Sequence, residues 1–199
     1  MREPGSRLLN HNELFYAPGD RALARDLFRA IGCRVLDPQE EEGPADLGPA
    51  AGPYLIVFVD PGSSDLIDNV LYASEVPPAQ WRFEQALRGQ IEGDASLGAC
   101  FEEYRAGFAR QPQAMTHLGL SMGEADLVAA IDRIRSNAAL AARVAVRGPF
   151  RPGEPGSVDP RVIQGFLQTD IVSTGFLLAG QQIELQVRLD RGIAGGFDE

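Results

Sequence analysis

The sequence predicts an α+β protein built from two copies of a βαβββ unit, and three observations carry that prediction. A strand-like apolar run followed by an amphipathic helix occurs twice, once near the start and once after residue 112. Each helix is followed by a short strand, a Pro/Gly-containing loop and further apolar runs rich in β-branched residues. The chain's only two histidines, His11 and His117, stand in the leading strand of each copy, 106 residues apart.

In the first copy, Leu8 to Tyr16 (LLNHNELFY) reads as a strand stopped by Pro18-Gly19. A helix follows, with Asp20 as its cap, Leu23, Leu27, Phe28 and Ile31 at helical spacing, and Gly32 as a left-handed stop. Cys33 to Leu36 is a short strand. The acidic loop from Pro38 to Pro53, with its run Glu40-Glu41-Glu42, reads as solvated and lacks calcium-loop spacing. Tyr54 to Val59 (YLIVFV) is a buried strand by length and composition, and Asn69 to Val76 (NVLYASEV) is the fourth.

The second copy repeats the order. Met115 to Met122 (MTHLGLSM) is a strand, and Glu124 to Leu140 is a helix with Leu127, Val128, Ile131 and Ile134 on one face. Ser121 and Glu124 have the spacing of a capping box. Arg143 to Phe150, Val162 to Val172 and Phe176 to Leu189 complete the unit, with a Pro/Gly loop from Arg151 to Pro160. Residues 1–76 and 113–199 are therefore the two units. Residues 77–112 join them, with helical patterns at Ala79 to Arg88 and Leu97 to Arg110 that suit a structural clamp or a subunit contact in a homodimer.

Composition narrows the chemistry. The 199 residues are 44% hydrophobic, enough for a packed core. All 18 basic residues are arginine, which excludes a Schiff-base lysine, a lysine base and a Walker-type lysine. A net charge of −10 argues against nucleic acid or an anionic membrane as partners, and the chain shows neither a membrane-spanning run nor a signal peptide, so a cytoplasmic protein is expected. Cys33 and Cys100 lack a metal-ligand spacing and are expected to be reduced and buried.

The chemistry-bearing residues share a strand parity. His117, Gly119 and Ser121 alternate with Leu118, Leu120 and Met122, and Gln182, Glu184 and Gln186 alternate with Ile183, Leu185 and Val187. A carboxylate buried on such a face needs a partner. Two imidazoles and one carboxylate on a common cavity would make a facial triad with open positions for water, substrate or dioxygen.

With this duplication, these ligand types, and the local segments Ile183-Glu184-Leu185 and Phe28-Arg29-Ala30-Ile31-Gly32, the chain resembles the vicinal oxygen chelate superfamily of glyoxalases, bleomycin-resistance proteins and ring-cleaving dioxygenases. The resemblance covers nearly the whole chain. It implies that the two units form a cup-shaped mixed β-sheet barrel with helices outside. It also implies a divalent metal held by His11, His117 and Glu184, with iron(II) favoured over manganese, zinc, nickel or cobalt. The implied activity is that of a metal-dependent enzyme chelating adjacent oxygens of a small substrate, with ring-cleaving dioxygenation ahead of isomerisation or epimerisation through an enolate. The alternative is a metal-free relative that sequesters a small molecule.

The pattern departs from glyoxalases at one place. Aligning the two last strands puts Tyr72 where a fourth ligand is usual, opposite Glu184, with Glu75 a small register shift away. Tyr72 is then a hydrogen-bond donor or acid, and Glu13 a base or a residue that orients an imidazole. Arg147 and Arg151 have the chemistry to clamp a substrate carboxylate.

Overall fold

The computed structural model describes residues 10–39, 53–66, 69–157 and 159–189. Leu8 and Leu9, the Glu40-Glu41-Glu42 run and the rest of the 40–52 segment lie outside the described residues.

In the first unit the alternation of HNELFY forms β1 (His11–Tyr16), and the amphipathic stretch after Asp20 forms α1 (Arg21–Ile31). Gly32 ends that helix at φ 107°, a left-handed conformation that a Cβ would strain. Asp20 does not cap α1 with its side chain, because its carboxylate is taken by Arg143 at 3.1 Å. β2 (Arg34–Leu36), β3 (Leu55–Phe58) and β4 (Val70–Glu75) follow, all within the segments read as strands. α2 (Pro78–Gly93) and α3 (Ala95–Arg110) occupy the join, longer than their sequence patterns suggested. Asp94 separates them, its carboxylate accepting from the Ser96 and Leu97 amides at 2.9 and 3.0 Å.

The second unit contains β5 (His117–Ser121), α4 (Glu124–Ser136), α5 (Ala138–Ala141), β6 (Val144–Phe150), β7 (Val162–Thr169), β8 (Val172–Ser173) and β9 (Gln181–Arg188). Four local expectations are corrected. The cap of α4 is Gly123 with no side-chain bond, since Ser121 is still in the extended strand. The single helix to Leu140 is broken at Asn137, whose side chain accepts from Ala139 and Leu140 and so competes with the helical ladder. The run from Val162 to Val172 is two strands, because Thr169 Oγ1 accepts from the Ile171 amide and turns the chain. The last strand begins at Gln181, after a 3-10 turn at Leu177–Ala179.

Both units are wired alike. The first and last strands pair in parallel, β1 with β4 and β5 with β9, and the middle strands continue antiparallel. The sheet orders are β2-β3-β4-β1-β8 and β5-β9-β7-β6. Among the described residues these are two open mixed sheets and not a closed barrel. β8 belongs to the second unit yet pairs with β1, Tyr16 opposite Val172 and Phe15 opposite Ser173.

One face of each sheet packs on helices in a continuous core that includes Leu14, Phe28, Leu55, Leu71, Leu127, Ile131, Leu167 and Leu185. α1 and α4 pack directly on each other. Arg133 of α4 donates to the Ala30 carbonyl at 2.8 Å, at the end of α1 where carbonyls lack helical partners. Arg143 bridges Asp20 and Asp170 at 3.1 and 2.6 Å. The inserted hairpin is tied to the second unit through buried Glu84, which accepts from the Leu178 amide at 2.8 Å, and through Gln80, which donates to the Gly175 carbonyl at 3.0 Å. Cys33 is buried, and burial pushes its thiol up to about 12, whereas Cys100, expected to be buried, is exposed. Among the described residues no helix is long and apolar enough to cross a membrane.

Asp37, at the exit of β2, is 1% exposed. Burial alone would raise its carboxyl, but hydrogen bonds from Arg21 and the Gln39 amide, with the charges of Arg21 and Arg25, outweigh it and hold the group below its ordinary 3.8. Its salt bridge to Arg21 is 2.6 Å, and Arg21 also donates to the Tyr16 hydroxyl at 2.9 Å. Asp37→Ala is therefore expected to lower stability by about 2 kcal/mol at neutral pH, measured by urea unfolding, because it removes the buried carboxylate that Arg21 and Arg25 share. A depressed folded value means that the contribution is present above the unfolded value. The gap between wild type and variant should thus hold at neutral pH and shrink as pH falls below about 4.

Candidate functional site

Strand parity and parallel register assemble a polar cluster on the face of the second sheet that points away from the helices. His117 is level with Gln182, Gly119 with Glu184 and Ser121 with Gln186. β7 continues the rows, with Phe166 beside Glu184 and Gln164 beside Gln186. Gln164, Gln182 and Glu184 are 4%, 0% and 5% exposed, so each polar group needs an internal partner.

Most have one. Glu184 Oε1 accepts from Gln164 Nε2 at 2.5 Å and from Gln186 Nε2 at 3.1 Å, while Oε2 lies 3.0 Å from His117 Nε2. His117 Nδ1 is 2.7 Å from the Met115 carbonyl, which only accepts, so Nδ1 carries a proton. The Nε2–Oε2 contact is an ion pair when the imidazole is protonated. Gln182 Nε2 donates to the Pro112 carbonyl at 2.6 Å, but its Oε1 is a buried acceptor with no hydrogen-bond partner among the described residues. His117 and Phe150 each stand against Phe166, at 6.5 and 6.3 Å between rings. On the β5 side the cluster is open. Gly119 is exposed, and a Cβ built there would lie 3.9 Å from Glu184 Oε2.

The first sheet has the same register and different chemistry. His11 is level with Val70 and Glu13 with Tyr72, so Tyr72 occupies the place of Glu184 and Glu13 that of Gly119. Glu75 is level with Tyr16, away from that place. The Tyr72 hydroxyl donates to the Leu66 carbonyl. Burial, reinforced by Tyr54, Glu13 and Asp65, pushes its phenol up and keeps it protonated. Around it Leu36, Ile56, Phe58 and Val70 form a small apolar cluster. His11 and Glu13 are exposed, with His11 edge-on to Tyr72 at 5.6 Å and its Nδ1 bonded to Asn10 Oδ1.

A metal fits half of this arrangement. Two cis donors about 2.1 Å from one ion stand ~3 Å apart, which is the His117–Glu184 spacing, and the Nδ1 bond to Met115 leaves Nε2 as the coordinating atom. The third donor is missing from this geometry. Among the described residues no group of three His, Cys, Asp or Glu side chains is placed to hold a metal ion, and His11 stands with Tyr72 on the other sheet. The residues as positioned therefore do not fit a three-ligand centre.

Of the arginines considered as clamps, Arg151 is bound to Glu124 at 3.0 Å, and Arg147 is exposed on β6 level with Phe166. Sequence reasoning missed Gln164 and the Met115 carbonyl. Gln164 had a signal, since Gln164, Phe166 and Gln168 alternate with Ile163 and Leu167, whereas a main-chain acceptor leaves none. Two surface cavities, of about 330 and 320 Å3, have linings that include neither His117 nor Glu184. Compared with known proteins, the chain has no significant match to a family model, a curated protein or a solved structure.

Removing the carboxylate takes a partner from the buried Gln164 amide, the half-buried Gln186 amide and His117 Nε2. Glu184→Ala is expected to cost about 1–3 kcal/mol, and Glu184→Gln less because it keeps the shape and one acceptor, both measured by urea unfolding.

Proposed function

We propose that the protein binds a small polar molecule at the open β5 edge of the second sheet, with the His117–Glu184 couple as its recognition and proton-exchanging element. The observation that carries this reading is the contrast between two copies of one unit. Where the first sheet buries Ile56, Phe58 and Val70, the second buries Phe166 among Gln164, Gln182 and Glu184. The unit folds with an apolar face, so the polar one is not a requirement of folding, and a buried carboxylate held by two amides has a cost that a purely structural role does not explain.

Chemically, the site offers a nearly buried carboxylate whose Oε2 faces Gly119 and lies 3.0 Å from His117 Nε2. A ligand with a hydroxyl beside a second hydroxyl or a carbonyl oxygen meets both, the hydroxyl donating to Glu184 and the neighbouring oxygen accepting from the imidazole. This is the metal-free, small-molecule-binding form of the superfamily that the sequence resembles. A cup-shaped enclosure of the site by the two units and a cytoplasmic location belong to the same proposal.

A second reading has its own support. The Nδ1 bond to Met115 and the 3.0 Å donor spacing suit His117 and Glu184 as two ligands of a metal-dependent enzyme, with His11 the third that the sequence resemblance implies.

Titration calorimetry with catechol, and with phenol as the single-oxygen comparison, tests the first reading. Catechol is expected to bind more tightly than phenol, and Gly119→Leu to weaken catechol at least tenfold, about 1.4 kcal/mol, without lowering the melting temperature. Equal binding of catechol by Gly119→Leu and wild type would refute it. Elemental analysis decides between the readings: about one metal ion per chain, lost in both His117→Ala and Glu184→Ala, establishes the second and removes the first.

A further inference from the structure

The cavity of about 330 Å3 lies in the seam between the inserted helical hairpin and the second unit, remote from the His117–Glu184 cluster in its lining. Its walls come from α2 and α3 on one side, and from the start of β6 and the Leu177–Ala179 turn on the other. Three guanidinium groups line it, those of Arg88, Arg105 and Arg143, with Asp170 the carboxylate among the lining residues. In a chain of net charge −10 this is a local reversal of sign.

The three arginines are not equally committed. Arg143 is spent on Asp20 and Asp170. Arg105 pairs with Glu102 at 3.9 Å, with both side chains more than half exposed, a contact of little strength, and its guanidinium lies 5.9 Å over the Phe101 ring. Arg88 is exposed on the last turns of α2 and makes no ion pair with another described residue. Two forked cation heads are thus available on one side of a cleft whose remaining lining includes Phe101, Val144 and Leu177. Forked guanidinium groups match carboxylate geometry, and the apolar lining gives a hydrocarbon body somewhere to rest. The volume is at the lower end of ordinary small-molecule sites, ~300–1,000 Å3.

We propose that this seam is a second binding site, for a small carboxylate with an apolar body, held by Arg88 and Arg105 between the insert and the second unit. Occupancy would bridge the hairpin to the turn at Leu177, adding to the Glu84 and Gln80 bonds that already tie the two together. The site does not depend on the function proposed for the second sheet.

The probe is phthalate, an aromatic dicarboxylate, titrated calorimetrically at low salt, with benzamide and inorganic phosphate as comparisons. Phthalate is expected to bind wild type, weaken with added salt, and lose at least tenfold in affinity in Arg88→Gln and in Arg105→Gln. Arg82→Gln, a charge-matched change on α2 outside the cavity lining, and Glu184→Ala are expected to leave it unchanged. Both test positions are exposed on helices, and unchanged melting temperatures check that the variants fold. Failure of phthalate to bind, equal binding by either test variant, or equal loss in Arg82→Gln would overturn the proposal. Loss in Glu184→Ala would place phthalate on the second sheet, and inorganic phosphate binding as tightly as phthalate would remove the apolar body from the assignment.

Discussion

Everything at the candidate site follows from the parallel pairing of the first and last strands of each unit. Parallel strands need a crossover, so the helix and both middle strands must be threaded between them, and the register of that one pairing fixes which side chains share a row. In the second unit it sets His117 beside Gln182 and one row from Glu184. A slip of a single residue would turn Glu184 into the helix-packed core and Ile183 or Leu185 out of it. The core residues Ile183, Leu185 and Val187 of β9, which alternate with Gln182, Glu184 and Gln186, are what forbid that slip.

The same register in the first unit makes the two halves a controlled comparison within one molecule. Position for position, Tyr72 replaces Glu184 and Glu13 replaces Gly119, and the surrounding face changes from amides to Ile56, Phe58 and Val70. The helix-packed faces remain alike, both feeding one continuous core. The two units thus carry different chemistry on the face that the fold does not use for its main packing, which is where a scaffold has freedom to carry it.

The architecture was readable because its signals are periodic. Alternation over Gln182 to Val187, the helical spacing of Leu127, Ile131 and Ile134, and the Gly32 stop each encode local geometry directly. The equivalence of Tyr72 with Glu184 was readable too, because it depends on register alone. What escaped was decided by competition among side chains distant in sequence. Asp20 looks like a helix cap until Arg143 claims it, and Ser121 looks like one until the strand extends through it. Asn137 is unremarkable within an apolar periodicity, yet its amide interrupts the helix. At the site, the partners of Glu184 come from a strand about 20 residues upstream as well as from its own, and the imidazole is oriented by a main-chain oxygen.

The pairing of β1 with β8 has a consequence for synthesis. Tyr16 and Phe15 find their partners in Val172 and Ser173, more than 150 residues later in the chain. At ~5–20 residues per second, the nascent first unit waits on the order of ten seconds for the strand that completes its sheet. During that interval one side of β1 presents unpaired main-chain groups next to the apolar Phe15. The first unit carries its own helix and four of the strands of its sheet, and that sheet reaches its full width only once the second unit has been made.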